Sequence, residues 1–180
     1  MLKGKMMKEL YIKDLNNYKD CSNKKTRTAI RGIIIHEGKF AMIQSDKYKE
    51  CKFPGGGMED GETHQSCLTR EIMEETGLTA IPDSMIPYGF FKDIRRSLYE
   101  KDLIFEMISY YYFISIADRT ITQIELDPYE EEYDYKLIWL SIDEAIHYNT
   151  VAMKRYHSEA PWIERELIVL KKLKEEGVIG

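Results

Sequence analysis

No stretch of this chain approaches the ~20 consecutive apolar residues that a membrane-spanning helix needs. Its basic start has no apolar run behind it, so a secretory signal peptide is not expected. Cysteine is scarce: Cys21, Cys51 and Cys67 form no C-x-x-C and no metal-ligand spacing. A disulfide framework or a zinc site would need more, and reduced thiols in a cytoplasmic setting are the expectation. Positive charge is not in excess either, with 26 Lys and Arg against 31 Asp and Glu and a net charge of −5. That balance argues against a dedicated nucleic-acid or membrane-surface binder. Internal repeats, low-complexity tracts and clear linkers are also missing. The 180 residues are 43% hydrophobic and 32% charged, which suits one globular domain with a real core.

Against this background one segment stands out, Gly56-Gly57-Met58-Glu59-Asp60-Gly61-Glu62 followed by Arg70-Glu71-Ile72-Met73-Glu74-Glu75-Thr76-Gly77-Leu78. On a helix, Glu71, Glu74 and Glu75 share one face, within an arc of roughly 100°. Like charges at these spacings destabilise a helix by a few tenths of a kcal/mol per pair. Glu74 and Glu75 also stand in the last turn before Gly77, where the helix dipole disfavours negative charge. Such a run is most often a solvated face. A cation that offsets both penalties is the alternative, and clustered carboxylates suit Mg²⁺ or Mn²⁺.

The complete frame separates these readings. It resembles the Nudix box, G-x5-E-x7-R-E-U-x-E-E-x-G-U with U aliphatic. Gly56, Glu62, Arg70, Glu71, Ile72, Glu74, Glu75, Gly77 and Leu78 match every fixed position. The resemblance to the MutT-like Nudix hydrolases implies an α/β (α+β) Nudix fold, a mixed β-sheet sandwiched between helices. It covers about residues 27–148 of a single domain spanning 1–180, with an N-terminal extension over 1–26 and a C-terminal helix over about 161–176.

The flanking sequence supports that frame. Ala29 to Ile35 and Phe40 to Ile43 read as strands around a His36–Lys39 turn. Phe53-Pro54-Gly55-Gly56-Gly57 reads as a loop that lets backbone approach a ligand. Thr63 caps the acidic helix, which Leu68 and Ile72 anchor to a sheet. Residues 79–91 and 103–116 are the next strands, with a polar loop between them carrying Lys92, Asp93, Arg95 and Arg96. Lys136 to Leu140 is a further strand, and Ser141 with Glu144 forms a capping box. Residues 1–26 are lysine-rich, and Met7, Leu10, Tyr11, Leu15 and Tyr18 recur at helical spacing, which suits a short amphipathic helix in packing or an oligomer contact. A basic arm reaching a phosphate ligand and a loosely ordered start are the alternatives. Ile163, Leu167, Leu170 and Leu173 make an apolar stripe on a last helix opened by Pro161. Both stripes need a cover, either their own domain or a second copy in a homodimer.

The resemblance implies a pyrophosphohydrolase acting on a nucleoside diphosphate linked to another moiety, with Mg²⁺ or Mn²⁺ as cofactor. Its implied metal ligands are Glu71, Glu74, Glu75 and the Gly55 carbonyl, with Glu71 also a candidate base. Glu62 either meets metal through water or braces the loop. Arg70 would hold a glutamate; its i,i+4 partner is Glu74. A downstream acid, often in a loop before a Trp-bearing strand, implies Glu132 ahead of Trp139, with Glu130, Glu131 and Asp134 competing. For substrate phosphates the candidates are Arg31, Arg95 and Arg96, because guanidinium binds phosphate bidentately. Phe90, Phe91 and Tyr99 read first as core packing, with stacking on a base as the alternative. Markers of the ADP-ribose, dinucleoside-polyphosphate and NADH subclasses are missing, and the coenzyme A motif is incomplete. Two other functions share the fold, a silent nucleotide sensor and an isopentenyl-diphosphate-isomerase-like enzyme. The intact box speaks against the first, and the missing cysteine motif against the second.

Overall fold

A computed structural model describes residues 7–122, 134–156, 160 and 162–178. Strand β2 (Asn23–Ile33) turns through β3 (Ile35–His36) into β4 (Lys39–Gln44), and β5 (Cys51–Lys52) leads into the glycine loop. Helix α1 (His64–Thr76) follows, then the long strands β6 (Ala80–Arg96) and β7 (Leu103–Ile116). Strand β8 (Lys136–Leu140) precedes helices α2 (Ile142–Tyr156) and α3 (Trp162–Glu175). An N-terminal strand, β1 (Lys8–Asp14), completes the set.

One sheet has the order β1-β6-β7-β2, with β6 and β7 antiparallel and each outer strand parallel to its neighbour. A smaller sheet joins β3, β4 and β5, with β8 antiparallel to β4. Two cores cover the faces of the large sheet. On one side Leu68 and Ile72 of α1 pack with Ile30, Ile34 and Ile114. On the other, Val169, Leu170 and Leu173 of α3 pack with Leu10, Phe53, Phe91 and Tyr111. This is the expected mixed sheet between helices. Gly32 permits the close approach of α1, since a Cβ there would lie 3.2–3.3 Å from Ile72 and Leu68.

The N-terminal helix expectation fails. Residues 8–14 form an edge strand in which Leu10 is the one fully buried side chain. Leu10 sits on Gly89, where a Cβ would come within 2.7 Å of its side chain. The apparent helical spacing carried no amphipathic face. The strand is held by ladder hydrogen bonds to β6, a partner far away in sequence.

The polar loop expected over 92–96 is a second correction. Strand β6 runs on to Arg96, and the connection to β7 begins only at Ser97. Asp93 and Arg95 alternate with Ile94 and Arg96, so one row of polar side chains faces a cleft rather than a core. Pattern reading takes such a strand for a loop.

The stripe on α3 is covered by its own chain, with Ile163, Leu167, Leu170 and Leu173 all buried. A second copy is not needed to cover it. Among the described residues no helix is long and apolar enough to cross a membrane.

Candidate active site

Helix α1 starts and stops where its sequence directs. Thr63 accepts a hydrogen bond from the Ser66 amide, and the Ser66 side chain answers to the Thr63 backbone. Gly77 ends the helix at φ 67°, its N–H bonded to the Met73 carbonyl. This fixes the carboxylate face toward the glycine loop.

Arg70 organises that face. Its Nε and Nη2 donate to the two oxygens of Glu62 at 2.8 and 3.1 Å. Its Nη1 donates to Glu71 at 3.0 Å and to Glu74 at 2.8 Å. The fork holds the Glu62 carboxyl down at about 2. Glu71 moves the other way. Burial raises its pKa against the pull of Arg70. Its carboxylate lies against Gly56, where a Cβ would be 2.4 Å from Oε2.

Glu75 is 3% exposed and sits apart from this cluster. It accepts from Lys52 Nζ and from the Gly55 amide, both at 2.7 Å. The like-charge penalty expected for Glu75 is therefore matched by a cation of the protein itself. Sequence spacing gave no sign of Lys52, because the pair joins residues on separate elements.

The glycine loop runs along the free edge of β2. Ile30 N–H donates to the Gly56 carbonyl, Gly32 N–H to Pro54 and Met58 N–H to Thr28. Gly55 has φ 133°, and a Cβ there would fall 2.1 Å from the Ile30 carbonyl oxygen. Only glycine fits.

Beyond the loop opens a cleft of about 450 Å³. Lys13, Arg27, Arg31, Lys52, Arg95 and Arg165 line it, and among the described residues Asp93 is the one acid in the lining. Phe91, Tyr99, Tyr135 and Trp162 add aromatic surface. The charge suits a phosphorylated ligand.

The predicted substrate arginines fare differently. Arg31 is not a surface residue: it is 6% exposed and donates to the Gly55 carbonyl at 2.9 Å. Arg95 lines the cleft, with Nε 3.4 Å from Asp93 Oδ2. Arg96 points to the other side of the strand, pairs with Asp20 and donates to the Asn17 carbonyl at 3.2 Å. It pins the segment after β1 and does not line the cleft. Of the three aromatics, Phe91 is in the core as expected and borders the cleft, Phe90 packs near Tyr110, and Tyr99 is exposed at the cleft rather than in the core. Glu130, Glu131 and Glu132 lie outside the described residues. Asp134 is bonded to Lys136 at 2.7 Å.

The NUDIX domain model matches residues 25–165. This chain belongs to the Nudix hydrolase family. It is 33% identical over 128 residues to the nucleoside triphosphatase NudI of Escherichia coli O139:H28, covering 68% of this chain and 87% of that protein. NudI of Shigella flexneri matches to the same extent. Among solved structures, a MutT Nudix hydrolase from Burkholderia pseudomallei superposes with a TM-score of 0.50 at 17% identity, over 66% of this chain and 85% of that one. That likeness concerns the fold.

Among the described residues no group of three or more His, Cys, Asp or Glu is gathered closely enough to hold a metal ion by itself, and the carboxylates nearest to that role are Glu71 and Glu74. One nitrogen, Arg70 Nη1, touches both Glu71 and Glu74, so a cation near that point meets both carboxylates. The Gly55 carbonyl and Glu75 are engaged by Arg31 and Lys52. Sequence reasoning did not name four basic residues of the cleft, Lys13, Arg27, Lys52 and Arg165. Two of them, Lys13 and Arg165, come from flanking segments placed outside the family core. Signals exist for Lys52, which immediately precedes the Phe53-Pro54-Gly55 turn, and for Lys13, which belongs to the lysine-rich start read alternatively as a basic arm toward phosphate.

Proposed function

We propose that this Nudix protein hydrolyses a phosphoanhydride bond of a nucleoside diphosphate joined to another group, a further phosphate included, with Mg²⁺ or Mn²⁺. The observation that carries this reading is Gly55, whose N–H is bound by the carboxylate helix and whose carbonyl is bound from a cationic cleft. A loop shared in this way sets a substrate's phosphates beside the acidic face. The name of the NudI relatives favours a triphosphate over a sugar-linked diphosphate.

Glu71 and Glu74 would hold the metal, with Glu62 and Glu75 in support and the Gly55 carbonyl within the same loop. When bound, the ion supplies charge neutralisation at the phosphoryl oxygens and a more acidic water. The chain's own residues do the rest. Arg27, Lys52 and Arg95 attract and orient the phosphates. The proton of the attacking water goes to a carboxylate, Glu71 where it is not itself a metal ligand. An acid from the 130–134 stretch, Glu132 foremost, is the alternative acceptor. Three free thiols suit a cytoplasmic enzyme.

The test is product analysis after incubation with nucleoside triphosphates, nucleotide sugars and dinucleotides, with Mg²⁺, with Mn²⁺ and with excess chelator. Metal-dependent release of phosphate or pyrophosphate from at least one of these is expected. Turnover undiminished by chelator, or none with any nucleotide, overturns the reading.

A further inference from the structure

Three consecutive glycines leave a loop with much backbone freedom, so the surroundings must impose its shape. The Pro54 and Gly56 carbonyls are held by the N–H groups of Gly32 and Ile30 on β2. The Gly55 carbonyl lies between them in sequence and is bonded instead by Arg31 Nη1 at 2.9 Å. The same nitrogen reaches the Phe53 carbonyl at 3.4 Å. Arg31 therefore sets a part of the loop that the β2 edge does not.

What sets Arg31 lies on α3. Glu166 is fully buried, and its Oε1 stands 3.8 Å from Arg31 Nε. That oxygen also accepts from Arg165 Nε at 3.0 Å and from Arg165 Nη2 at 2.7 Å. Its Oε2 accepts the Phe53 N–H at 3.4 Å. One carboxylate thus serves two guanidinium groups that are only 6% and 9% exposed. Arg31 Nε has no hydrogen-bond partner among the described residues, so Glu166 holds it by charge rather than by a hydrogen bond.

A buried ion cluster adds little stability over apolar packing of the same volume. It does fix where each charge sits. Without the carboxylate, Arg31 and Arg165 repel each other in a buried setting. The way out for Arg31 is toward the cleft that it lines, away from the Gly55 carbonyl. Glu166 itself is not among the residues lining that cleft.

We propose that Glu166 is a positioning residue for the hydrolysis: through Arg31 it holds the Gly55 carbonyl, so α3 shapes the glycine loop without touching substrate. The kinetic part rests on the hydrolase reading above, whereas the structural part is tested without turnover. In the intact chain, carbon-13 labelled at glycine carbonyls, the Gly55 resonance reports the Arg31 bond. Glu166→Gln and Arg31→Lys should each move it, and Glu166→Gln added to Arg31→Lys should move it little further. Leu173→Ala takes packing from the same helix and leaves the charges alone. It should lower the melting temperature without moving the resonance. In hydrolysis, Glu166→Gln and Arg31→Lys should each cut kcat roughly tenfold or more. The double variant should be within about threefold of Arg31→Lys, because one residue acts through the other. Should Glu166→Gln fail to fold, Glu166→Asp, which keeps the charge one methylene short, enters the same comparison under the same criteria. An unmoved Gly55 resonance overturns the proposal, as do losses in kcat that multiply in the double variant. A chain that cleaves no nucleotide but shows the coupled Gly55 shifts refutes the hydrolase reading and leaves the link from Glu166 to the loop standing.

Discussion

Glu75 and Arg31 hold the same residue from opposite sides: Glu75 accepts the Gly55 N–H at 2.7 Å, and Arg31 donates to the Gly55 carbonyl at 2.9 Å. The acidic helix and the cationic cleft are thereby joined through one peptide position. Arg31 in turn lies 3.8 Å from Glu166 of α3, which Arg165 grips at 2.7 Å. The C-terminal helix is thus tied to the glycine loop by buried charge.

Glu75 and Glu74 should behave differently on neutralisation. Glu75→Gln removes the carboxylate facing the buried Lys52 ammonium and is expected to cost roughly 2–4 kcal/mol. The melting temperature should fall on the order of 5–10 °C. Glu74 is far more exposed and its link to Arg70 is a surface i,i+4 pair, so Glu74→Gln should change stability by less than about 0.5 kcal/mol. Both should lose hydrolytic rate. Thermal melts of the two variants in chelator decide the stability claim, and equal melting temperatures would refute it.

Arg70→Lys keeps the charge and loses the fork. A point charge cannot serve Glu62, Glu71 and Glu74 together. A loss of about 1–3 kcal/mol is expected. Divalent metal should recover more stability in the variant than in wild type, because the carboxylates then depend on it. Paired melts with and without Mg²⁺ measure this, and a variant melting like wild type in chelator would count against it.

Acid sensitivity follows from Glu62. Its folded pKa of about 2 lies below the ordinary value near 4.3, so its contribution is full above that value and fades as pH falls toward 2. Glu71 is shifted upward by burial, so its share runs in the opposite sense, favouring the fold at lower pH. The stability gap between wild type and Glu62→Gln should be widest near neutrality and close toward pH 2. Chemical denaturation across that range tests it, and a gap independent of pH would exclude the Arg70 fork as its source.

The sequence made the box legible because its signals are local. Thr63, Gly77, Leu68 and Ile72 each act within a helical turn or two, and the carboxylate spacing belongs to one element. The cleft was mostly hidden because it is assembled from afar. Lys13 arrives on an edge strand whose pairing no local pattern announces, and Arg165 on a helix whose visible feature was its apolar stripe. Asp93 and Arg95 were read as loop because a strand facing a polar cleft lacks the hydrophobic alternation that marks one facing a core. The acid run before Trp139 was legible as composition.

The three cysteines should differ sharply toward thiol reagents. Cys67 is buried on α1, and burial with Glu62 and Glu71 nearby pushes its thiol up to about 12. Cys51 is buried on β5 against α2, where its Sγ lies 3.5 Å from Asn149 Oδ1, and its thiol is raised further by burial with Glu166 and Glu50 near it. The thiolate is the reactive species, so neither residue should react in the folded chain. Cys21 is partly exposed, ahead of β2, and its Sγ is 3.8 Å from the Lys101 carbonyl. A colorimetric disulfide reagent at pH 8 should therefore titrate one thiol in the native protein and all three after denaturation. Labelling Cys21 should leave hydrolysis unchanged, because it lies outside the cleft. Rapid native modification of Cys67 would mean that the packing of α1 against the glycine loop opens far more readily than its buried contacts imply.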